Sequence, residues 1–200
     1  MKNFAANWVK SSAVVMLLLA TGAAQAHTGH ATSGVFDGLA HPLGLDHLLA
    51  MLAVGVWSVS ALPAQKNWQG PATFLLALVL SAMLGASGFV VPYLEHAISL
   101  SVVVLGLMLV LARRGLPVAA GLGLVGLAAS LHGLAHGAET PDTGFIGYAA
   151  GFLMTTTVLH MSGMAAALGI QRFVAGRKPW VTAGMGALFS GAGVYLLQQL

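Results

Sequence analysis

The chain of 200 residues contains no cysteine. Disulfides, thiolate metal sites and a cysteine nucleophile are therefore excluded, and the redox compartment is left open. Charge is nearly as scarce: Asp, Glu, Lys and Arg make up 6% of the residues, against about 25% in an ordinary soluble domain. So few charges cannot cover the surface of a water-soluble fold. The formal net charge of +3 comes from basic residues scattered in ones, twos and threes, which speaks against nucleic acid as a partner. A phosphate-cradling Walker motif and an H-E-x-x-H zinc-protease pattern are both missing, so neither ATP hydrolysis nor that metalloenzyme chemistry is carried here. No soluble domain, internal repeat or low-complexity tract is evident.

Apolar residues are what the chain has in excess. They account for 58% of it, and the mean hydropathy is +0.87, so lipid is the expected solvent for most of the surface. The 26 glycines suit helices that approach one another closely inside a membrane.

The first segment reads as an address. Lys2 and Lys10 precede an apolar run from Ser11 to Ala24, and Ala24-Gln25-Ala26 has the small-x-small form read by signal peptidase. The run is too short for a span, which needs about 20 residues. Residues 1–26 are thus expected to be a cleaved signal peptide rather than a seventh, anchoring helix, with 27–200 as one transmembrane domain. Cleavage would leave His27 at the new N-terminus with His30 close behind. A free amine beside imidazoles can chelate a divalent cation; a solvated polar tail is the plain alternative.

Six apolar segments follow, at 39–62, 71–92, 97–112, 116–137, 144–170 and 179–198. Each break between them holds the Pro, Gly or charge that ends a helix. The expected fold class is all-α, a polytopic membrane bundle of about six helices. Lys66, Arg113, Arg114, Arg172, Arg177 and Lys178 fall in the loops after the first, third and fifth segments, while Asp37, Glu95, Glu139 and Asp142 fall at the opposite ends. Basic loops stay in the cytoplasm. This orientation puts the protein in the inner membrane with both mature termini in the periplasm, as a cleaved signal peptide also requires.

Two clusters carry the chemistry. The first segment opens His41-Pro42-Leu43-Gly44-Leu45-Asp46-His47, with Met51 one turn further on. An aspartate inside a membrane helix costs a few kcal/mol (about 3 on insertion scales), so it needs a partner or a hydrated cavity. Pro42 and Gly44 favour a broken or late-starting helix over a regular one. In the fourth segment His132, His136 and Glu139 are spaced by four and then three residues, which sets them on one helix face. Imidazoles and a carboxylate at similar depth on two helix ends are ligands for a first-row divalent metal. His160, in the fifth segment, falls about 22 Å from its outer end, beyond the midplane, where it reads as an inner relay or as a packing histidine bonded to a backbone carbonyl. Met51 is a weaker ligand candidate, since membrane methionines more often pack. His96, beside Glu95, reads as an interfacial residue.

These residues resemble the HupE/UreJ family of bacterial nickel permeases. His41-Pro42, Gly44, Asp46-His47, Met51 and Val54-Gly55 are similar to its first-helix signature, and His132, Ala135, His136, Gly137 and Glu139 to its second motif, with Leu131 where the family has phenylalanine. Gly151-Phe152 to Thr156, Leu159-His160 and Gly163 are similar to its fifth-helix pattern. The resemblance implies uptake of Ni2+ for hydrogenase or urease assembly, with His41, Asp46, His47, His132, His136 and Glu139 as the metal-handling positions. The residues alone indicate only a divalent metal, since the same ligands suit nickel, cobalt, zinc and copper. A non-transporting metal-binding or sensor protein and a bis-histidine haem protein fit the same residues. N-terminal sequencing of the chain purified from membranes is expected to begin at His27; a start at Met1 would show an uncleaved anchor.

Overall fold

A computed structural model describes residues 34–112, 115–140, 144–174 and 178–200. The expected signal segment 1–26, His27, His30, Arg113, Arg114, Asp142 and Arg177 lie outside the described residues. Seven α-helices follow in order: α1 Val35–Ala40, α2 Leu45–Ala61, α3 Gln69–Ala86, α4 Leu94–Val110, α5 Val118–Ala138, α6 Phe145–Phe173 and α7 Lys178–Leu197. Short 3-10 turns at His41–Leu43 and Ala64–Lys66 lead into α2 and α3. Strands are absent among the described residues, and the fold is all-α.

Helix ends follow local chemistry. Leu62 turns extended ahead of Pro63, as a residue before proline does, and this closes α2. Gly88, at φ +89°, closes α3. Its N–H reaches the Gly85 carbonyl and that of Phe89 reaches Leu84, the paired bonds of a glycine C-cap. The second apolar segment therefore stops at Ala86, not near residue 92. The third begins earlier than expected, at Leu94, after Tyr93 in the left-handed region. The bend at the start of the first segment is large. Val35–Leu43 and Leu45–Ala61 meet at 76°, with Pro42 in the 3-10 turn and extended Gly44 capping α2.

Ala64–Ala86, Val118–Ala138, Phe145–Phe173 and Trp180–Leu197 are each long and apolar enough to cross a bilayer, and the bent pair makes a fifth if taken as one broken span. α4 is apolar but shorter, at 17 residues. The chain is a multi-pass membrane protein. Large apolar side chains such as Leu76, Met83, Leu127, Val158 and Leu188 are exposed on its outer face, where lipid takes the place of water.

The helices pack in pairs through small residues. On α5, a Cβ at Gly133 would strike the Leu78 carbonyl and the Ser81 hydroxyl, and one at Gly137 would strike the Ala82 backbone of α3. Gly85 of α3 answers against the Leu134 backbone. Gly55 of α2 lies against the His160 and Gly163 backbone of α6, and Gly106 and Gly186 do the same between α4 and α7. The Thr155 hydroxyl donates to the Leu39 carbonyl, 2.9 Å, and the Gln171 amide to the Val59 carbonyl, 3.1 Å. The bent first segment and α6 therefore run parallel, tied at both ends. Trp57, Phe74, Met51, Leu105 and Leu109 fill the interior.

Gly133→Leu is expected to lower stability by about 1–3 kcal/mol through overpacking, read as a lower Tm of the purified protein in nanodiscs. Gly123→Leu, where a side chain meets open space, should leave Tm unchanged.

Candidate metal centre

The bend before α2 decides where His41 goes. A straight helix would carry it along the axis, away from the α5 histidines. Instead the 3-10 turn swings it across to α5, and His41 Nε2 lies 2.7 Å from His136 Nδ1. The other edge of His136 reaches α2: its Nε2 is 2.5 Å from His47 Nε2. Glu139 closes the outer end, its Oε2 at 3.3 Å from His41 Nε2 and 3.6 Å from His136 Nδ1. At the other end Asp46 accepts the His47 backbone N–H at 2.8 Å and stands 3.8 Å from His47 Nδ1. His132 continues the line inward, its ring centroid 4.4 Å from that of His47.

The six residues expected as metal-handling positions thus form one contiguous column. They were expected as two facing sets, one per helix. The structure assigns His41 to the α5 group, and the donor atoms of His41, His136 and Glu139 lie within 4.8 Å of one another. Two imidazoles holding one ion at right angles, with bonds of about 2.1 Å, need nitrogens about 3 Å apart. The pairs at 2.5 and 2.7 Å need open by only a few tenths of an ångström to admit one.

Charge is graded along the column. Glu139 is half exposed at its mouth, and the hydrogen bonds from His136 and then His41 hold its carboxyl well below the usual range despite partial burial. It therefore stays anionic at any physiological pH. His132 is wholly buried. Its Nδ1 donates to the Ala128 carbonyl at 2.8 Å, so Nε2 keeps its lone pair in the neutral ring, the form a metal requires. That Nε2 has no hydrogen-bond partner among the described residues. Leaving such an atom unpaired costs about 1–3 kcal/mol, a cost natural membrane cores avoid unless the atom has work to do.

The sequence reading missed the aromatic walls. Phe152 of α6 lies 4.9 Å from His136 and about as close to His47 (5.9 Å) and His41 (6.0 Å) by ring centroids. Tyr148 stands one turn outward, 5.6 Å from His41. A spacing of four along Tyr148, Phe152, Thr156 and His160 was the available signal. An apolar cavity of about 640 Å3 between α3 and α6, with Leu78, Met83 and Phe145 in its wall, reaches His136 from the side. Met51 is fully buried within the apolar core. His96 stays apart, its ring against Tyr93.

Residues 15–196 match the sequence profile of the HupE / UreJ protein family. The chain belongs to the HupE/UreJ family. A relative, Protein HupE of Rhizobium leguminosarum bv. viciae, is 40% identical over 146 residues, covering 72% of this chain and 75% of its own length. No solved structure matches. The family signatures read in the sequence are the parts of this HupE/UreJ protein that build the histidine column.

Ni2+ is expected to raise the Tm of the nanodisc-reconstituted protein by several degrees (on the order of 5 °C for a ligand in excess). His136→Ala, which removes the ring joining His41 to His47, should abolish that rise. His96→Ala should keep it.

Proposed function

We propose that this HupE/UreJ protein is a permease of the bacterial inner membrane that takes Ni2+ from the periplasm into the cytoplasm for hydrogenase or urease metallocentre assembly. The observation that carries the reading is the continuity of the column: carboxylate, three touching imidazoles, a second carboxylate and a buried imidazole with a free nitrogen, leading from an exposed end into the bundle. A binding site alone needs one set of ligands at one depth. A route needs successive sets, each within reach of the last.

Glu139, fixed as an anion at the exposed end, draws in the cation. His41 and His136 share it with Glu139, and each imidazole gained replaces a water of hydration. His47, backed by Asp46, takes the ion next, and the Asp46 charge offsets the cost of bringing a dication into low dielectric. The site must not bind too tightly, because conduction requires release. Imidazole and carboxylate ligands accept cobalt, zinc and copper as well as nickel, so the preference for Ni2+ rests on the family. Positive-inside charge supports the orientation: Lys66 in the turn before α3 and Arg172 in the last turn of α6 take the inner side, with the exposed carboxylate of Glu139 at the opposite end.

The test is 63Ni2+ uptake in cells expressing Asp46→Asn or His47→Ala. Uptake should fall at least 10-fold at equal membrane abundance; wild-type rates would remove the assignment. Uptake by the wild type should also fall as the external pH is lowered, because protons compete with the metal for the imidazole nitrogens.

A further inference from the structure

Thr156 and His160 are buried polar groups of α6 that the outer column does not use. Both Thr156 and His160 have no exposed surface. His160 Nδ1 donates to the Thr156 carbonyl at 2.7 Å, which fixes the proton on Nδ1 and leaves Nε2 with its lone pair. That Nε2 has no hydrogen-bond partner among the described residues, and neither has Thr156 Oγ1. The threonine is the more telling of the two. Ser58, Ser81, Ser130, Thr157 and Ser162 each donate to the carbonyl four residues back in their own helix, the default for a hydroxyl in a membrane helix. Thr156 Oγ1 makes neither that bond nor any other among the described residues. The two free atoms sit one turn apart on the face of α6 that carries Phe152 against the outer histidines.

One side chain links them to the column. Phe74 of α3 is fully buried, with its ring centroid 4.9 Å from that of His160 and 6.0 Å from that of His132. The Phe74 ring thus lies against both the innermost imidazole of the outer column and the imidazole of α6. Depth along α6 misleads here: His160 is far from the outer end of its own helix because α6 reaches further outward than α5, to pack against α1.

We propose that His160 Nε2 and Thr156 Oγ1 form a second, inner station for a divalent first-row cation, beyond His132 Nε2 at the inner end of the outer column. This rests on the reading of the outer column as a transport route. An imidazole nitrogen and a hydroxyl suit such an ion, and the inner set has no carboxylate. It therefore holds a dication more weakly than the outer set, which gives the transfer a direction toward release. Phe74, against both imidazoles, offers a passing cation an aromatic ring and no ligand atom, so it does not trap the ion on the way from one station to the next.

The experiment uses the full chain in nanodiscs and Ni2+ as the probe. His160→Gln should bind one ion fewer per chain at saturating Ni2+, by equilibrium dialysis with metal analysis, while the outer-site Tm rise persists. Thr156→Val removes only the unbonded hydroxyl and is expected to fold at least as stably as wild type. In cells it should lower 63Ni2+ uptake at least 10-fold at equal abundance. Unchanged stoichiometry in His160→Gln together with wild-type uptake in Thr156→Val would overturn the inner station. Loss of the outer-site Tm rise in both variants would also overturn it, showing a packing role instead. Wild-type uptake by Asp46→Asn in the same assay would instead overturn the permease reading itself.

Discussion

A bilayer offers no water to a polar atom, so each imidazole among these helices must find its partner inside the protein. The outer histidines meet that demand with one another. A neutral imidazole has one donor and one acceptor, and His41, His136 and His47 can pass a single donor direction along their contacts, ending on the Asp46 carboxylate. This self-satisfied chain is what lets several polar rings stay buried before any ion arrives. On the permease reading, an ion entering the column would replace hydrogen bonds with coordination bonds at the same atoms, leaving the protein little reorganisation to do.

The glycines make that arrangement possible. Gly133 and Gly137 alternate with His132 and His136 on α5, and both press on the α3 backbone. One face of α5 therefore fixes the distance to α3, and the next face presents the imidazoles. On the parallel side, Gly55 and Gly163 bring α2 against α6, which places His47 and His160 on facing elements. The membrane supplies no strong hydrophobic force between helices, so close backbone approach has to supply much of the cohesion. Ligand placement and helix cohesion thus depend on the same contacts.

Much of this was legible in the sequence. Helix positions followed from apolar runs and from their breaks, because Pro63 and Gly88 end helices by local backbone chemistry that needs no partner. The α5 set, His132, His136 and Glu139, followed from helical spacing alone. The helix break at Pro42 and Gly44 was readable too, but its direction was not, since a 76° bend can swing His41 to any neighbour. Only packing sends it to His136. Phe74 carried no local signal: one phenylalanine in an apolar helix looks like every other. Thr156 gave none either, because a hydroxyl that declines its own helix carbonyl differs from one that accepts it only in the folded chain.

The alternation of glycine and histidine on α5 has a consequence for how such a protein could change its preference among metals. Exchanging a ligand would remove polar partners from a line in which each ring depends on the next. Changing the residue that sets the gap between α3 and α5 would leave every ligand in place and alter the spacing between nitrogens. Where the ligand types stay the same, geometry is the protein's remaining means of discriminating nickel from its neighbours in the series. On the permease reading, the interhelical gap is therefore the tuning screw, and a small residue with no metal contact of its own would act as a determinant of selectivity.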